Sequence, residues 1–220
     1  RHLYPQHSWL GDGLPRMRTT LAYGPPVISI DVEDWPQSTW SRDLPITDRA
    51  VENTRRVLRL LRETEVRATM FVLGKLAERF PHLVKEMQAD GHEVACHGYG
   101  HVEIAQQSPD EFLADIRRAK DLLEQITGEQ VKGYRAPDFS IVRKTLWAFD
   151  ALAEAGFEYD SSIVPVQLAR YGIPDWPVQP AHVRLANGRT ILEAPLATFR
   201  CFGKNWPVGG GGYHRLLPGF

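Results

Sequence analysis

Residues 27–35 read V-I-S-I-D-V-E-D-W, and this stretch decides the fold. Its aliphatic side chains are β-branched and closely spaced, which predicts a buried strand. Asp31, Glu33 and Asp34 then place three carboxylates at the carboxyl end of that strand. A buried carboxylate needs an ion-pair partner, hydrogen bonds or a metal, so this cluster predicts a functional site at the strand end. The alternative is a strand that runs into an acidic, solvated turn.

The composition is that of a globular chain. The 220 residues are 43% hydrophobic and 24% charged, which suits one large domain or two small ones. Because the net charge is −1, no bulk attraction to nucleic acid or to an anionic membrane is expected. We find neither an apolar run of about 18 residues nor a signal-peptide pattern, so no membrane-spanning segment is predicted and the compartment stays open.

The two cysteines of the chain, Cys96 and Cys201, are far apart and form no C-x-x-C pair. They therefore predict neither a disulfide framework nor a thiolate metal site. Because Cys96 alternates with His97 along a predicted strand, its side chain is expected to face away from any site that His97 joins.

Predicted strands and helices alternate along the chain, which is typical of parallel βα units. Residues 1–26 are rich in Pro, Gly and His without periodicity and predict an irregular arm, followed by one domain over residues 27–220. Polar motifs follow several strands, at the end of the sheet where sites gather in such folds. After the opening strand, further strands are predicted at 66–73, 93–96, 131–134, 157–159 and 191–193, and helices at about 47–63, 81–90, 109–127 and 144–155.

A histidine pair follows the predicted strand 93–96. His97 and His101 are spaced i, i+4 with two glycines between them, so both imidazoles can reach one cation. With one carboxylate from the first strand end they would make three protein ligands and leave a position open for water, as in catalytic sites. The alternative is a pair of surface histidines.

Arg135 follows a strand and precedes Ala-Pro. If its side chain points into the site, it would hold a carboxylate base in position and keep it ionised; otherwise it is an ordinary surface arginine. Asp160, after the next strand, is either a helix cap or a polar wall of the pocket. Aromatic residues beside these motifs, such as Trp35 and Phe139, are core or lid residues, or surfaces that stack on sugar rings.

Three motifs together resemble the polysaccharide deacetylases, also called NodB-homology domains or carbohydrate esterase family four. The acidic strand-end motif of that family resembles residues 29–34, S-I-D-V-E-D, and its His-(Ser/Thr)-x-x-His motif resembles residues 97–101, H-G-Y-G-H. Its Arg-x-Pro-(Phe/Tyr) motif resembles residues 135–139, R-A-P-D-F. The D-V-E-D-W form, with Y-D-S-S at 159–162 and the glycine run 209–212, resembles the branch associated with bacterial exopolysaccharide loci.

The resemblance implies an α/β fold, a distorted (β/α) barrel that is incomplete at the C terminus, with residues 27–220 as the catalytic domain. By the same resemblance Asp31 matches the general base, Arg135 orients it, and His97 and His101 match two metal ligands. The expected metal is Zn²⁺.

The third metal ligand stays open between Glu33 and Asp34. Glu33 shares a face with Asp31 on an ideal strand, whereas Asp34 reaches inward if the strand breaks into a turn, and Asp34 is slightly preferred. Substrate contacts are expected from Trp35, Pro137, Phe139 and Asp160.

The histidine that acts as general acid in this family lies in a Leu-x-His motif, and the chain has no good match to that motif. His214 is not assigned this role, and the acid is expected beyond residue 220. The glycine run 209–212 is not a phosphate-binding loop, because no Gly-Lys-Ser/Thr ending follows it.

The resemblance implies hydrolysis of N-acetyl groups on the acetamido sugars of a polysaccharide. Three alternatives stay open: an O-acetyl esterase, a hydrolase of small amides that uses the same site, and an inactive carbohydrate-binding module. The polymer and its linkage are not predicted.

Overall fold

The computed structural model describes residues 17–19 and 27–208. These residues form ten strands and six α-helices. The strands are β1 (Met17–Thr19), β2 (Ile28–Val32), β3 (Ala68–Val72), β4 (Glu93–Cys96), β5 (Gly133–Tyr134), β6 (Tyr159–Asp160), β7 (Ala181–Arg184), β8 (Thr190–Glu193), β9 (Thr198–Cys201) and β10 (Lys204–Pro207). The helices are α1 (Trp35–Thr39), α2 (Asp48–Glu63), α3 (Gly74–Arg79), α4 (Pro81–Ala89), α5 (Pro109–Thr127) and α6 (Ala148–Glu154).

Eight strands form one mostly parallel sheet in the order β1-β7-β8-β6-β5-β4-β3-β2. The six strands from β2 to β8 in that order are parallel; at the far edge β7 runs antiparallel to β8, and β1 runs antiparallel to β7. Within the described residues no pairing joins β1 to β2, so the sheet is not closed. The predicted α/β fold, an incomplete barrel, is confirmed. Strands β9 and β10 form a separate hairpin.

Local sequence explains the elements that carry the site. Every residue of β3 is buried, as expected for a parallel strand that has a neighbour on each side and is covered on both faces. Helix α5 begins with a capping box, in which the Ser108 side chain accepts from the Glu111 N–H and the Glu111 carboxylate accepts from the Ser108 N–H. Gly128 ends α5 in the left-handed region at φ 71°.

Several boundaries differ from the sequence prediction. Residues 17–19, inside the predicted irregular arm, form β1 and pair with β7, while the rest of that arm and the glycine run 209–212 lie outside the described residues. Phe157 packs into the core instead of starting a strand, so β6 begins two residues later than predicted. The domain boundary between residues 26 and 27 stays a prediction.

The two cysteines occupy different environments. Cys96 is fully buried in the hydrophobic core, on the side of β4 away from the histidines, and burial raises the pKa of its thiol to about 12. Cys201 is a free, half-buried thiol at the end of β9. None of the helices in the described part of the chain is both long and apolar enough to cross a bilayer.

Candidate active site

Three side chains meet at the carboxyl ends of β2 and β4. Glu33, His97 and His101 each offer one ligand atom, and these atoms lie within 4.8 Å of one another. The Glu33 Oε2 atom lies 2.8 Å from His101 Nε2 and 3.6 Å from His97 Nε2. Neither of these contacts has hydrogen-bond geometry, so the buried Oε2 atom has no hydrogen-bond partner among the described residues. A cation would satisfy this crowded set of a carboxylate and two imidazoles, and three protein ligands would leave it an open coordination position.

The backbone orients both imidazoles. His97 Nδ1 lies 2.9 Å from the Arg135 carbonyl oxygen, so a proton on Nδ1 leaves the Nε2 lone pair directed at the Glu33 carboxylate. His101 has a left-handed backbone conformation, with φ at 57°, which is costly for a residue with a β-carbon. This geometry lets the chain return its second imidazole to the same point only five residues after β4 ends.

Charges in the pocket act on one another. Burial alone would raise the pKa of Glu33, but the imidazoles of His101 and His97 outweigh it and hold that pKa well below its usual range. Burial alone would lower the pKa of His97, but the carboxylates of Asp31 and Glu33 raise it above its ordinary value. The site therefore attracts positive charge, and a metal ion would compete with protons for these ligands.

The loop between the histidines is held from two sides. Tyr99 N–H donates to Asp115 Oδ2 at 2.8 Å, from helix α5. Gly74 N–H, at the start of α3, donates to the Gly98 carbonyl at 2.8 Å. Helix α3 packs so close that a β-carbon on Gly74 would lie 2.9 Å from Tyr99 Cα, closer than side chains tolerate.

We expect Gly74→Ala to lower the unfolding free energy by about 1–3 kcal/mol and to weaken metal binding, because the added methyl must displace the loop that carries both histidines. Urea unfolding and metal titration would measure the two effects. Gly100→Ala is the matched control in the same loop, since its β-carbon would meet nothing closer than 3.6 Å. If Gly100→Ala were equally damaging, close packing of α3 would not be the cause.

Asp34 does not join the histidines. Its Oδ2 atom accepts hydrogen bonds from Thr47 N–H at 2.6 Å and Thr47 Oγ1 at 2.8 Å, and its Oδ1 atom lies 3.3 Å from Arg49 Nη2. The slight preference for Asp34 is therefore corrected as far as position goes, because Glu33 is the carboxylate that lies with the histidines; its role as third metal ligand stays a prediction. The physical reason is that strand alternation continues past the end of β2, so Asp31 and Glu33 share the inner face while Asp34 turns to the start of α2.

Asp31 is held by Arg135. Arg135 Nη1 donates to Asp31 Oδ1 at 2.9 Å, and the guanidinium is buried. Its other N–H groups donate to Ser161 O, Ser161 Oγ and Ser29 Oγ at 2.8–3.0 Å. The Arg135 Cζ atom lies 4.1 Å from the centroid of the Phe71 ring. Arg135 thus has one fixed geometry, and the expectation that it orients Asp31 agrees with this contact.

Asp160 is not placed as a substrate contact. It is fully buried, and its carboxylate accepts from Ser162 Oγ at 2.6 Å and Ser162 N–H at 3.1 Å. Ser162 Oγ in turn accepts from the Ala136 N–H at 2.8 Å. The expectation that Asp160 forms a wall of the substrate pocket is therefore corrected. Through Ser162, its carboxylate holds the backbone at Ala136, next to Arg135, and its burial leaves it no access to a ligand.

Asp160 shares its buried position with Glu193 of β8. Burial and the neighbouring Asp160 raise the pKa of Glu193 well above its ordinary value. Burial also raises the pKa of Asp160, although hydrogen bonds from Glu193 and Ser162 oppose the shift. Two buried carboxyls side by side disfavour double ionisation, so the folded chain retains a proton on this pair to higher pH than the unfolded chain does.

This pair should make stability depend on pH. Since the folded chain holds the Glu193 proton more tightly than the unfolded chain, unfolding free energy falls as pH rises above the ordinary glutamate pKa of 4.5. Glu193→Gln removes that proton equilibrium, so its unfolding free energy should fall less than that of the parent between about pH 5 and about pH 8. Urea unfolding at both pH values would measure this. Glu52→Gln, on the exposed face of α2, is the control; equal slopes for Glu193→Gln and the parent would contradict the shared proton.

The remaining expected substrate contacts lie around the same site. Trp35 is half-exposed and lines, with Asp31 and Glu33, a cavity of about 320 Å³. Pro137 is buried, and Phe139 stands 5.5 Å from the ring of Tyr171. Their substrate roles stay predictions.

Sequence reasoning missed the residues that support the site. Ser29 and Ser161 hold Arg135, and Asp115 holds the histidine loop. Ser29 lies two residues before Asp31 and therefore on its face of the strand, which is a signal that could have been used. The sequence gives less indication of the role of Asp115, because acidic residues are common at the edge of the apolar face of an amphipathic helix.

Comparisons with known proteins identify the family of this chain. A family model described as polysaccharide deacetylase matches residues 25–159, more than half of the chain. A second model, described as a domain of unknown function (DUF3473), matches residues 161–220.

Two curated relatives are similar over part of the chain. A peptidoglycan-N-acetylglucosamine deacetylase of Bacillus cereus is 34% identical over 99 residues, which are 44% of this chain and 36% of that protein. A chitooligosaccharide deacetylase of Azorhizobium caulinodans is 33% identical over 82 residues, 37% of this chain and 39% of that protein. The chain thus spans less than half the length of these relatives.

A solved structure shares the fold. The crystal structure of a Mycobacterium smegmatis protein assigned to the polysaccharide deacetylases aligns with a TM-score of 0.61 at 23% identity, covering 83% of this chain and 64% of that one. At this identity the likeness supports the fold alone.

Proposed function

Since this chain belongs to the polysaccharide deacetylase family, we propose that it removes N-acetyl groups from the acetamido sugars of a polysaccharide. The family places it among carbohydrate deacetylases, which are hydrolases. The proposal adds the amide bond, a divalent metal, and Asp31 as the base. The resemblance of D-V-E-D-W to the branch associated with exopolysaccharide loci supports an exopolysaccharide as the polymer.

One observation carries the proposal: the Glu33, His97 and His101 ligand atoms converge beside an Asp31 that Arg135 holds. A Zn²⁺ bound by these three side chains would polarise the acetyl carbonyl and lower the pKa of a water molecule. The donor set also suits other divalent metals, so the test below does not presuppose zinc.

Asp31 acts as the general base. Its Oδ1 atom accepts the hydrogen bond from Arg135, which leaves Oδ2 to take a proton from the attacking water. Arg135 stabilises the ionised carboxylate and fixes its direction, because the guanidinium is itself held by Ser29 and Ser161.

The negative charge that develops on the acetyl oxygen needs a donor. Phe139 N–H already donates to the Ala136 carbonyl at 3.1 Å, so it is not free for this role. Asp138 and Phe139 both have positive φ, at 54° and 52°, a costly arrangement for two consecutive residues that bear β-carbons. Asp138 N–H is the backbone donor of this turn that we assign to the oxyanion.

Acetate release from N-acetylated and O-acetylated glycans, measured with the metal-loaded protein and after chelation, tests the proposal. We expect chelator-sensitive release from an N-acetylated polymer. Release from O-acetyl esters alone would favour the esterase, and binding of glycans without any release would favour the carbohydrate-binding module. Activity that survives complete metal removal would contradict the assigned ligands.

A further inference from the structure

A second concave surface lies beside the candidate active site, within the residues matched by the domain of unknown function. It is a groove of about 500 Å³ between the segment 165–168 with Pro174 on one side and the β9–β10 hairpin on the other. Asn205 Nδ2 donates to the Pro165 carbonyl at 2.9 Å and ties the two walls together. The deacetylase chemistry proposed above uses none of these side chains.

The groove is cationic and aromatic. Arg200, Lys204 and Trp206 of the hairpin line it, and no Asp or Glu is among the described residues that do so. All three side chains are exposed, and neither Arg200 nor Lys204 has a carboxylate within ion-pair distance in the described chain. The Trp206 indole donates to the Cys201 carbonyl at 3.3 Å, which directs the ring along the hairpin.

The hairpin turn has an unusual residue at its tip. Phe202 and Gly203 connect β9 to β10 with φ values of 49° and 74°. Two consecutive positive φ values are what a two-residue hairpin turn requires, but a phenylalanine there costs more than Asn, Asp or Gly. The Phe202 side chain is 97% exposed, so it gains no packing in return. Costly and exposed residues of this kind cluster at ligand-binding segments.

The wall that carries Pro165 and Leu168 continues into the active site. Arg170, two residues on, lies 2.9 Å from Asp138 Oδ2 and 2.7 Å from Glu103 Oε1. Tyr171 contacts Phe139, with 5.5 Å between ring centroids.

The two halves of this wall are packed tightly together. Ile173 N–H donates to the Val164 carbonyl at 3.0 Å, and a β-carbon on Gly172 would lie 2.3 Å from Val166 O. One compact segment, residues 164–174, therefore forms a wall of the groove and touches the Arg-x-Pro loop of the site.

We propose that this groove binds the anionic sugars of a carboxylated polysaccharide, on residues that flank the sugar to be deacetylated. The inference rests on the proposed function for its choice of a glycan. Arg200 and Lys204 would pair with uronate carboxylates, and Trp206 would pack against the apolar face of a pyranose ring. By strand alternation Lys204 and Trp206 share one face of β10, so a cation and an aromatic ring lie side by side in a concave surface, which suits a polymer strand. Phe202 protrudes at the tip and does not line the groove; it is the side chain that a lipid surface would engage, so lipid vesicles are one arm of the test.

The test uses the full chain and trigalacturonate as the probe, titrated by calorimetry at low and at physiological salt. We expect measurable binding that weakens with salt, and a loss of about tenfold or more in affinity in the double variant Arg200→Gln, Lys204→Gln. The double variant Arg59→Gln, Arg184→Gln is the charge-matched control, because both are exposed arginines, on α2 and β7, that do not line the groove. Trp206→Ala should weaken the binding of trigalacturonate at both salt concentrations.

Three results would overturn the proposal: no binding of trigalacturonate by the parent chain, equal binding by the double variant, or binding of phosphatidylserine vesicles in place of the oligosaccharide. Failure of the proposed function is distinguished separately by acetate release. If the double variant loses affinity for trigalacturonate but neither the parent nor the variant releases acetate from any glycan, the proposed groove is supported and the proposed deacetylase function is not. Hydrolysis of a small activated acetate ester should be the same in parent and double variant.

Discussion

Glu33→Gln is expected to lower the affinity for a divalent metal by about 100-fold or more, because the neutral amide replaces the only carboxylate among the three converging ligands. Competition titration with a chromogenic chelator would measure the affinity, and acetate release should fall in proportion to metal occupancy.

Asp34→Asn is the matched control for this experiment, because it removes a charge from the next residue along the chain. Asp34 accepts two hydrogen bonds from Thr47 and lies near Arg49, so we expect a loss of about 2 kcal/mol in unfolding free energy with unchanged metal affinity. The reverse pattern, metal loss in Asp34→Asn and retention in Glu33→Gln, would show that the third ligand is Asp34 after all.

Asp31→Asn is expected to lower kcat by about 10²–10⁴ while the metal content stays at that of the parent, because it removes the base and not a ligand. The amide still accepts from Arg135 through its oxygen, so the fold around the site should be preserved. Single-turnover acetate release with metal analysis of the same sample would separate the two effects.

A second variant tests whether Arg135 acts through Asp31. Arg135→Lys keeps the charge but loses the donors that reach Ser29 and Ser161. We expect kcat to fall and KM to change little, with a further loss smaller than additive when it is combined with Asp31→Asn. Fully additive losses would mean that Arg135 does not work by positioning the base.

Much of the fold could be predicted because local chemistry and the global arrangement agree. The capping box at Ser108 and the glycine at 128 bound α5 as expected, and the apolar run around Phe71 forms a central strand. Short pieces were not predicted. Strands β7, β9 and β10 are four residues each. The place of β7 depends on its pairing with β1, far away in the sequence, and the β9–β10 turn carries Phe202 where the usual hairpin signal is Asn or Asp before Gly.

The site was predictable where spacing alone brings residues together. His97 and His101 meet because the interval is short, and Asp31 meets Arg135 because both follow parallel strands of one sheet. The choice between Glu33 and Asp34 was not predictable in this way. It depends on whether the chain keeps its alternation past Val32, and the start of α1 at Trp35 decides that.

Asp160 is a residue whose environment the sequence could not predict. Its position after a strand fits a pocket residue, and nothing local reveals that Glu193, 33 residues later, lies beside it. A buried carboxyl pair is a long-range feature, and its protonation follows from burial that only the folded chain establishes.

The unequal burial of the two thiols allows a reporter group to be attached selectively beside the groove. Cys96 is buried, and its burial raises the pKa of its thiol to about 12, so thiol-reactive dyes should not label it. Cys201, which is half-buried, ends β9 directly opposite Lys204 and is the cysteine that such a dye should label. A fluorophore on that one sulfur would sit next to the aromatic and cationic side chains of the hairpin without any engineered mutation. Its emission could then follow the arrival of a polymer strand in real time, in the native sequence.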